Sequence, residues 1–144
     1  MESTAEEIVE RFLLDLEAGR AEDAAAALAD DVVYTNVSLP TLRGRTRVER
    51  LFKRGFDGAG LRFRVHFVNT AATGNVVLTE RVDALGVGRF EQRFWVYGRF
   101  EVRDGKIAVW RDSFDWLDIT VSIVRGLLGV AVPSLNRSWP VTGR

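Results

Sequence analysis

The stretch Thr79-Glu80-Arg81-Val82-Asp83, read together with Trp110-Arg111-Asp112-Ser113-Phe114, decides how this chain folds and what it can do. Both lie in runs that read as β-strands. Side chains alternate faces along a strand, so Arg81 and Asp83 point the same way, and Asp112 shares its face with Ala108, Trp110 and Phe114. A carboxylate on an apolar strand face is costly unless it is paired. Arg81 and a second aspartate can supply the pairing, so an Asp–Arg–Asp cluster inside an apolar hollow is the feature on which a function would rest. Alternation alone argues otherwise for Arg81 and Asp83. Val76, Leu78, Val82 and Ala84 occupy the opposite face, which directs the charged pair to solvent, where such a pair contributes little. Placing it inside requires both sheet faces to be covered. One would line a helix-capped cavity, and the other would pack against a second subunit or the tail.

Upstream of these strands the pattern is mostly helical. Ser3 and Thr4 precede Glu6 and Glu7 at capping-box spacing, then Ile8, Val9, Phe12, Leu13 and Leu16 recur at helical intervals until Gly19. An alanine-rich second helix fits residues 21–29, and a strand fits 31–38, stopped by Pro40. That strand puts Tyr34 and Asn36 on one face, where they either hold a water in a pocket by uncharged hydrogen bonds or face solvent. A third helix fits residues 46–56, with Val48, Leu51, Phe52 and Phe56 on one stripe. Asp57-Gly58-Ala59-Gly60 breaks the pattern, and strands follow over 61–70, 76–85, 89–102 and 106–115. Asp104-Gly105 is a strong hairpin signal between the last two. Helices first and strands later predict an α+β domain rather than alternating βαβ units.

Downstream, residues 117–135 turn helical again. Asp118, Ser122, Arg125 and Gly129 share one narrow face and most of the rest is Leu, Ile and Val. Asp118, Arg125 and Pro133 interrupt the run, which argues against a membrane span and leaves a lid, an oligomer contact or a surface anchor. Residues 1–135 read as a single domain and 136–144 as a loose tail.

Composition narrows the classes of function. The chain has 144 residues, 47% hydrophobic and 28% charged, enough for one domain with a sizeable core. Twenty basic residues balance twenty acidic ones, so no overall field favours nucleic acid or an anionic membrane. The arginine-rich segment around Arg43, Arg45, Arg47, Arg50 and Arg54 comes without an aromatic stacking platform and reads as a solvated helix face. With no cysteine and one histidine, a disulfide, a thiol nucleophile and a multi-histidine metal site are excluded. His66 shares its face with Arg62 and Arg64, an exposed or interfacial setting rather than a catalytic one. Glu80, opposite Arg81, is expected to pair with a neighbouring strand or subunit. The acidic N-terminus lacks a basic region followed by an apolar run, as a signal peptide would need, and a cytoplasmic location is expected.

Tyr34-x-Asn36, Leu78-Thr79-Glu80-Arg81-x-Asp83 and Trp110-Arg111-Asp112-x-Phe114-Asp115, in this order and spacing, resemble the limonene-1,2-epoxide hydrolase family over about residues 4–118. That family has the nuclear-transport-factor-2-like fold. The resemblance implies N-terminal helices packed on a strongly curved mixed β-sheet that forms a conical pocket, a C-terminal helix at the rim, and a homodimer joined through the outer sheet face. It implies that Asp112, Asn36 and Tyr34 hold the attacking water, with Asp112 as general base. Asp83 would be the general acid and Arg81 would orient both carboxylates, with no covalent enzyme ester. Leu85, Trp110 and Phe114 are expected to line the substrate pocket. The partners implied are water and a bulky lipophilic epoxide of terpene, sterol or fatty type, with a vicinal diol as product and no metal, flavin or nicotinamide. Ser113 stands where family members commonly carry Tyr, a departure on the face away from Asp112 that bears on packing. Two rivals share the pocket: an isomerase or cyclase using an Asp base, and a non-catalytic lipid-binding module.

Overall fold

The computed structural model describes residues 2–140. Helix α1 (Ala5–Glu17) starts where the spacing predicts. The Thr4 hydroxyl accepts from the Glu7 amide, and the Glu7 carboxylate accepts from the Thr4 amide. α2 (Ala21–Ala26) is shorter than the expected 21–29, because Leu28 already belongs to strand β1 (Leu28–Asn36). Alanine propensity favoured a longer helix, but Leu28 is fully buried and pairs with Ile107, so tertiary packing outweighs it. A two-residue strand, β2 (Leu42–Arg43), precedes α3 (Arg45–Lys53) and carried no sequence signal of its own. A π-turn, Arg54–Gly58, continues α3. Then come β3 (Arg62–Thr73), β4 (Val76–Val87), β5 (Phe90–Arg103), β6 (Lys106–Ser113) and α4 (Trp116–Ala131). Asp104 and Gly105 take the positive φ values, 52° and 74°, that a tight hairpin requires between β5 and β6.

The six strands form one mixed sheet in the order β2-β1-β6-β5-β4-β3, with only β1 and β6 parallel. Register shifts between Phe67 and Asn69 and between Glu101 and Val102 mark irregularities of the kind that bend a sheet. α1, α2 and α3 pack on one face, where Phe12, Leu13, Leu16, Val48, Phe52, Phe100 and Trp110 join in a single apolar cluster. This is the expected α+β architecture of helices on a curled mixed sheet, and it leaves a cavity between the helices and the inner face of the sheet.

Both faces of β4 are covered, which is why alternation misjudges it. Arg81 and Asp83 point inward, yet Val82 and Ala84 on the opposite face are also buried. The expected loose tail supplies part of the cover. Trp139 lies 4.1 Å under the Arg64 guanidinium and edge-on to His66, while Arg137 is tied to Arg93 and Asp118. Residues 136–140 are thus docked, and 141–144 lie outside the described residues. Glu80 accepts from Asn69 on β3, as expected of a pair with a neighbouring strand.

α4 turns part of its narrow polar face inward, while Arg125 on that face stays exposed. Ser122 and Gly126 are its buried residues, while Leu117, Val124, Leu127 and Leu128 are exposed. Its neighbour is the part of β5 that has no β6 partner. There Asp118 accepts from the Trp95 amide, Asn136 donates to the Glu91 carbonyl, and Arg137 donates to the Arg93 carbonyl, so helix and tail satisfy an open strand edge. Gly126 makes the approach possible: a Cβ there would lie 2.7 Å from the Glu91 carbonyl oxygen. Asp115, expected as a solvated or capping residue, caps α4 by accepting from the Leu117 and Asp118 amides. Among the described residues no helix is long and apolar enough to cross a membrane.

Candidate active site

Three strands of the inner face bring the site together. β4 contributes Thr79, Arg81, Asp83 and Leu85, β6 contributes Trp110 and Asp112, and β1 contributes Tyr34 and Asn36. The parallel register sets Tyr34 beside Trp110 and Asn36 beside Asp112. Arg81 is fully buried and every one of its N–H donors is used. Nε and Nη2 donate to the two oxygens of Asp83 at 3.1 and 2.9 Å. Nη1 and Nη2 donate to the two oxygens of Asp112 at 3.3 and 3.0 Å. Nη1 also donates to the Thr79 hydroxyl at 3.1 Å. Two forked carboxylate contacts and one hydroxyl fix the guanidinium plane, the geometry to which arginine is suited.

Arg81 on β4 and Asp112 on β6 are separated by β5, and Gly98 is the residue of β5 in register with Asp112 on one side and Thr79 on the other. A Cβ on Gly98 would sit 2.6 Å from Arg81 Nη1, 2.6 Å from Thr79 Oγ1 and 2.9 Å from the Phe100 ring. The missing side chain is the gap through which the guanidinium reaches across a whole strand. Thr79 and Gly98 were not among the sequence candidates. The available signal was a glycine inside a long strand, which marks a close approach.

The cluster forms the floor of a cavity of about 320 Å³ lined by Tyr34, Asn36, Arg81, Asp83 and Asp112 together with apolar and aromatic side chains, including Leu85, Trp110 and Phe114. Tyr34 and Asn36 therefore face the pocket and not solvent, and the Asn36 amide donates to the Tyr34 hydroxyl at 2.7 Å. The Tyr34 ring stacks on Trp110 at 3.8 Å between centroids. Trp110 Nε1 is buried and has no hydrogen-bond partner among the described residues. His66 lies on the outer face against Trp139, outside this pocket. Among the described residues no three His, Cys, Asp or Glu side chains gather as metal ligands.

Burial pushes the Asp83 carboxyl above the usual carboxylate range, even though Arg81 pulls the other way and Asp112 adds to the rise. Burial works against the charge on Arg81, but Asp112 and Asp83 outweigh it and hold the guanidinium firmly protonated. Burial, reinforced by the charge of Asp112, raises the Tyr34 phenol well above its ordinary value and keeps it a neutral donor. The floor thus holds one permanent cation and two acids, one of which tends to keep its proton. Such a pair can give a proton at one point and take one at another.

A family model of the limonene-1,2-epoxide hydrolase catalytic domain matches residues 3–125. The chain is 43% identical over 128 residues to the epoxide hydrolase EphG of Mycobacterium tuberculosis, covering 89% of this chain and 85% of that protein. A solved M. tuberculosis LEH-like epoxide hydrolase superposes with a TM-score of 0.89 at 41% identity, over 96% of this chain and all 100% of the other. More distant structures share the fold alone. A Xanthomonas campestris protein assigned as a polyketide cyclase gives a TM-score of 0.73 at 18% identity, over 83% of this chain and 96% of that one. A Kribbella flavida protein assigned as a ketosteroid isomerase gives 0.63 at 20%, over 77% of each chain.

Proposed function

The chain belongs to the limonene-1,2-epoxide hydrolase family, and from that premise we propose that it hydrolyses a bulky lipophilic epoxide to a vicinal diol in one general-acid, general-base step. The observation that carries the reading is the buried Arg81 guanidinium forked onto both Asp83 and Asp112 at the floor of an apolar cavity. A terpene, sterol or fatty epoxide suits the hydrocarbon walls.

Water sits between Tyr34, Asn36 and Asp112. It accepts from the Tyr34 hydroxyl and donates to Asp112 and to the Asn36 carbonyl oxygen. Asp112 removes a proton as the water oxygen attacks one ring carbon. The C–O bond at that carbon breaks, and Asp83 delivers its proton to the departing epoxide oxygen. Asp112 ends protonated and Asp83 ionised, and exchange with solvent resets the pair. Acid and base acting together avoid both free hydroxide and free alkoxide, and each contributes roughly 10²–10⁴-fold. Arg81 keeps the two carboxylates at fixed separation and balances the charge that moves between them.

The test is a panel of epoxides in oxygen-labelled water. Label is expected in the diol within a single turnover, and label appearing first in Asp112 would refute direct attack. Asp83→Asn and Asp112→Asn should each abolish turnover in a folded protein. We also propose a homodimer, because Leu78, Trp95 and Tyr97 form exposed apolar surface on the outer sheet face. Sedimentation equilibrium checks it, with a monomer at all accessible concentrations as the contrary result.

A further inference from the structure

Above the polar floor of Tyr34, Asn36, Arg81, Asp83 and Asp112, the described residues that wall the cavity are hydrocarbon or aromatic, with one exception. Gln92 lines the cavity from β5 on the same face as Phe94. The antiparallel register places Phe94 beside Asp83 and Gln92 beside Leu85. Along β4 the inner residues become less buried from Arg81 and Asp83 to Leu85, so Gln92 stands one inner-face step nearer the mouth than the acid. Two residues of strand rise separate these levels by about 7 Å.

The Gln92 amide has no hydrogen-bond partner among the described residues, although it is half-buried in a cavity that Phe94, Trp116 and Ile119 also line. No protein group calls for the amide, and since its nitrogen and oxygen are not among the fully buried unpaired atoms they stay open to the cavity, where a ligand that displaces water must replace the lost bonds. Packing does not call for it either, since a leucine of similar size would fill the place among apolar neighbours at lower cost. An amide both donates and accepts, so an alcohol oxygen can satisfy both of its functions at once.

We propose that Gln92 determines specificity by binding an oxygen substituent, a hydroxyl or a carbonyl, carried on the substrate about 7 Å from the epoxide. The preferred substrate is then an amphiphilic epoxide whose second oxygen lies toward the mouth while the ring lies on Asp83. This rests on the epoxide-hydrolase reading. The contact is made equally in the bound and reacting states, so it lowers KM and leaves kcat nearly unchanged.

The experiment compares three epoxides on one carbon skeleton. One carries no further oxygen, one a hydroxyl about 7 Å from the ring, and one a hydroxyl on the carbon next to the ring. Wild-type enzyme is expected to favour the distal alcohol over the plain epoxide by roughly tenfold in kcat/KM, the worth of one ordinary hydrogen bond. Gln92→Leu should lose that preference through KM, keep kcat, and turn over the plain epoxide as well as or better than wild type. The adjacent alcohol should show no Gln92-dependent preference. Equal treatment of plain and distal compounds by wild type, or the same preference in Gln92→Leu, overturns the inference. The three affinities measured on Asp83→Asn separate the two readings. If wild type turns over none of the compounds but Asp83→Asn binds the distal alcohol about tenfold more tightly, the hydrolase reading fails and the role of Gln92 stands. Affinities indifferent to the distal hydroxyl sink the role of Gln92 whatever the chemistry.

Discussion

Gly98→Ala adds one methyl group 2.6 Å from both Arg81 Nη1 and Thr79 Oγ1. Restoring ordinary van der Waals contact needs a displacement of about 0.8 Å. The end of an arginine side chain normally yields at little cost. Here it is fully buried and held by bonds to Asp83, Asp112 and Thr79, so moving it lengthens several contacts together. Thr79 has nowhere easy to go, being buried itself, and the Phe100 ring would also lie 2.9 Å from the new carbon. A shift of that size exceeds the tolerance of about 0.5 Å expected for a working constellation. Misplacement near 1 Å costs about 10²-fold. We therefore expect kcat to fall by about two orders of magnitude and stability to fall by about 1–3 kcal/mol, the usual range for overpacking. Steady-state kinetics with urea denaturation separates the two effects. Wild-type kcat in a folded Gly98→Ala protein would show that Arg81 need not hold its position across β5, and the positional argument would fail.

Other outcomes follow from the same cluster. Asp83→Asn and Asp112→Asn each leave one carboxylate to balance Arg81, so each single variant should stay folded. The double variant strands a buried cation and should lose about 3–5 kcal/mol, more than the sum of the singles; additive losses in denaturation curves would refute this. The raised Asp83 pKa sets a sign for pH. Its proton contributes stability that is complete below the ordinary carboxylate value and is lost as pH rises through the folded value. Activity that needs this proton should fall over the same upper limb, and Asp83→Asn should remove that slope from a stability-versus-pH series. Thr79→Val keeps the shape but removes an acceptor from Arg81 Nη1. It should cost about 1–3 kcal/mol and reduce kcat, read by thermal unfolding and initial rates. Arg137→Ala breaks the ties to Asp118 and the Arg93 carbonyl and should speed amide exchange at the β5 edge while sparing the floor of the cavity.

Much of the site was legible in the sequence because strand geometry is local. A period of two residues puts Arg81 with Asp83 and Tyr34 with Asn36, whatever else the chain does. The apolar company of Asp112 flagged it as a buried carboxylate before any fold was known. Local spacing likewise placed the Thr4–Glu7 cap and the Asp104-Gly105 hairpin. It failed where the deciding contact lay far away in sequence. The end of α2 was set by Leu28 pairing with Ile107, and β2 exists only because β1 lies beside it.

The sequence by itself determined which side chains share a face, and by resemblance which family they suggest. Only the tertiary structure decided which face turned inward. Alternation on β4 pointed the charged pair toward solvent, and it was overruled because Val82 and Ala84 are buried as well, with the tail residues Arg137 and Trp139 docked on that side of the sheet. Gly98 is the sharper case. A glycine inside a long strand signals that something comes close, but not what, because its function is an absent atom in the path of a guanidinium from one adjacent strand to a carboxylate on the other. Faces are fixed by bond geometry between neighbours, whereas burial and clearance are fixed by whatever the rest of the chain brings alongside.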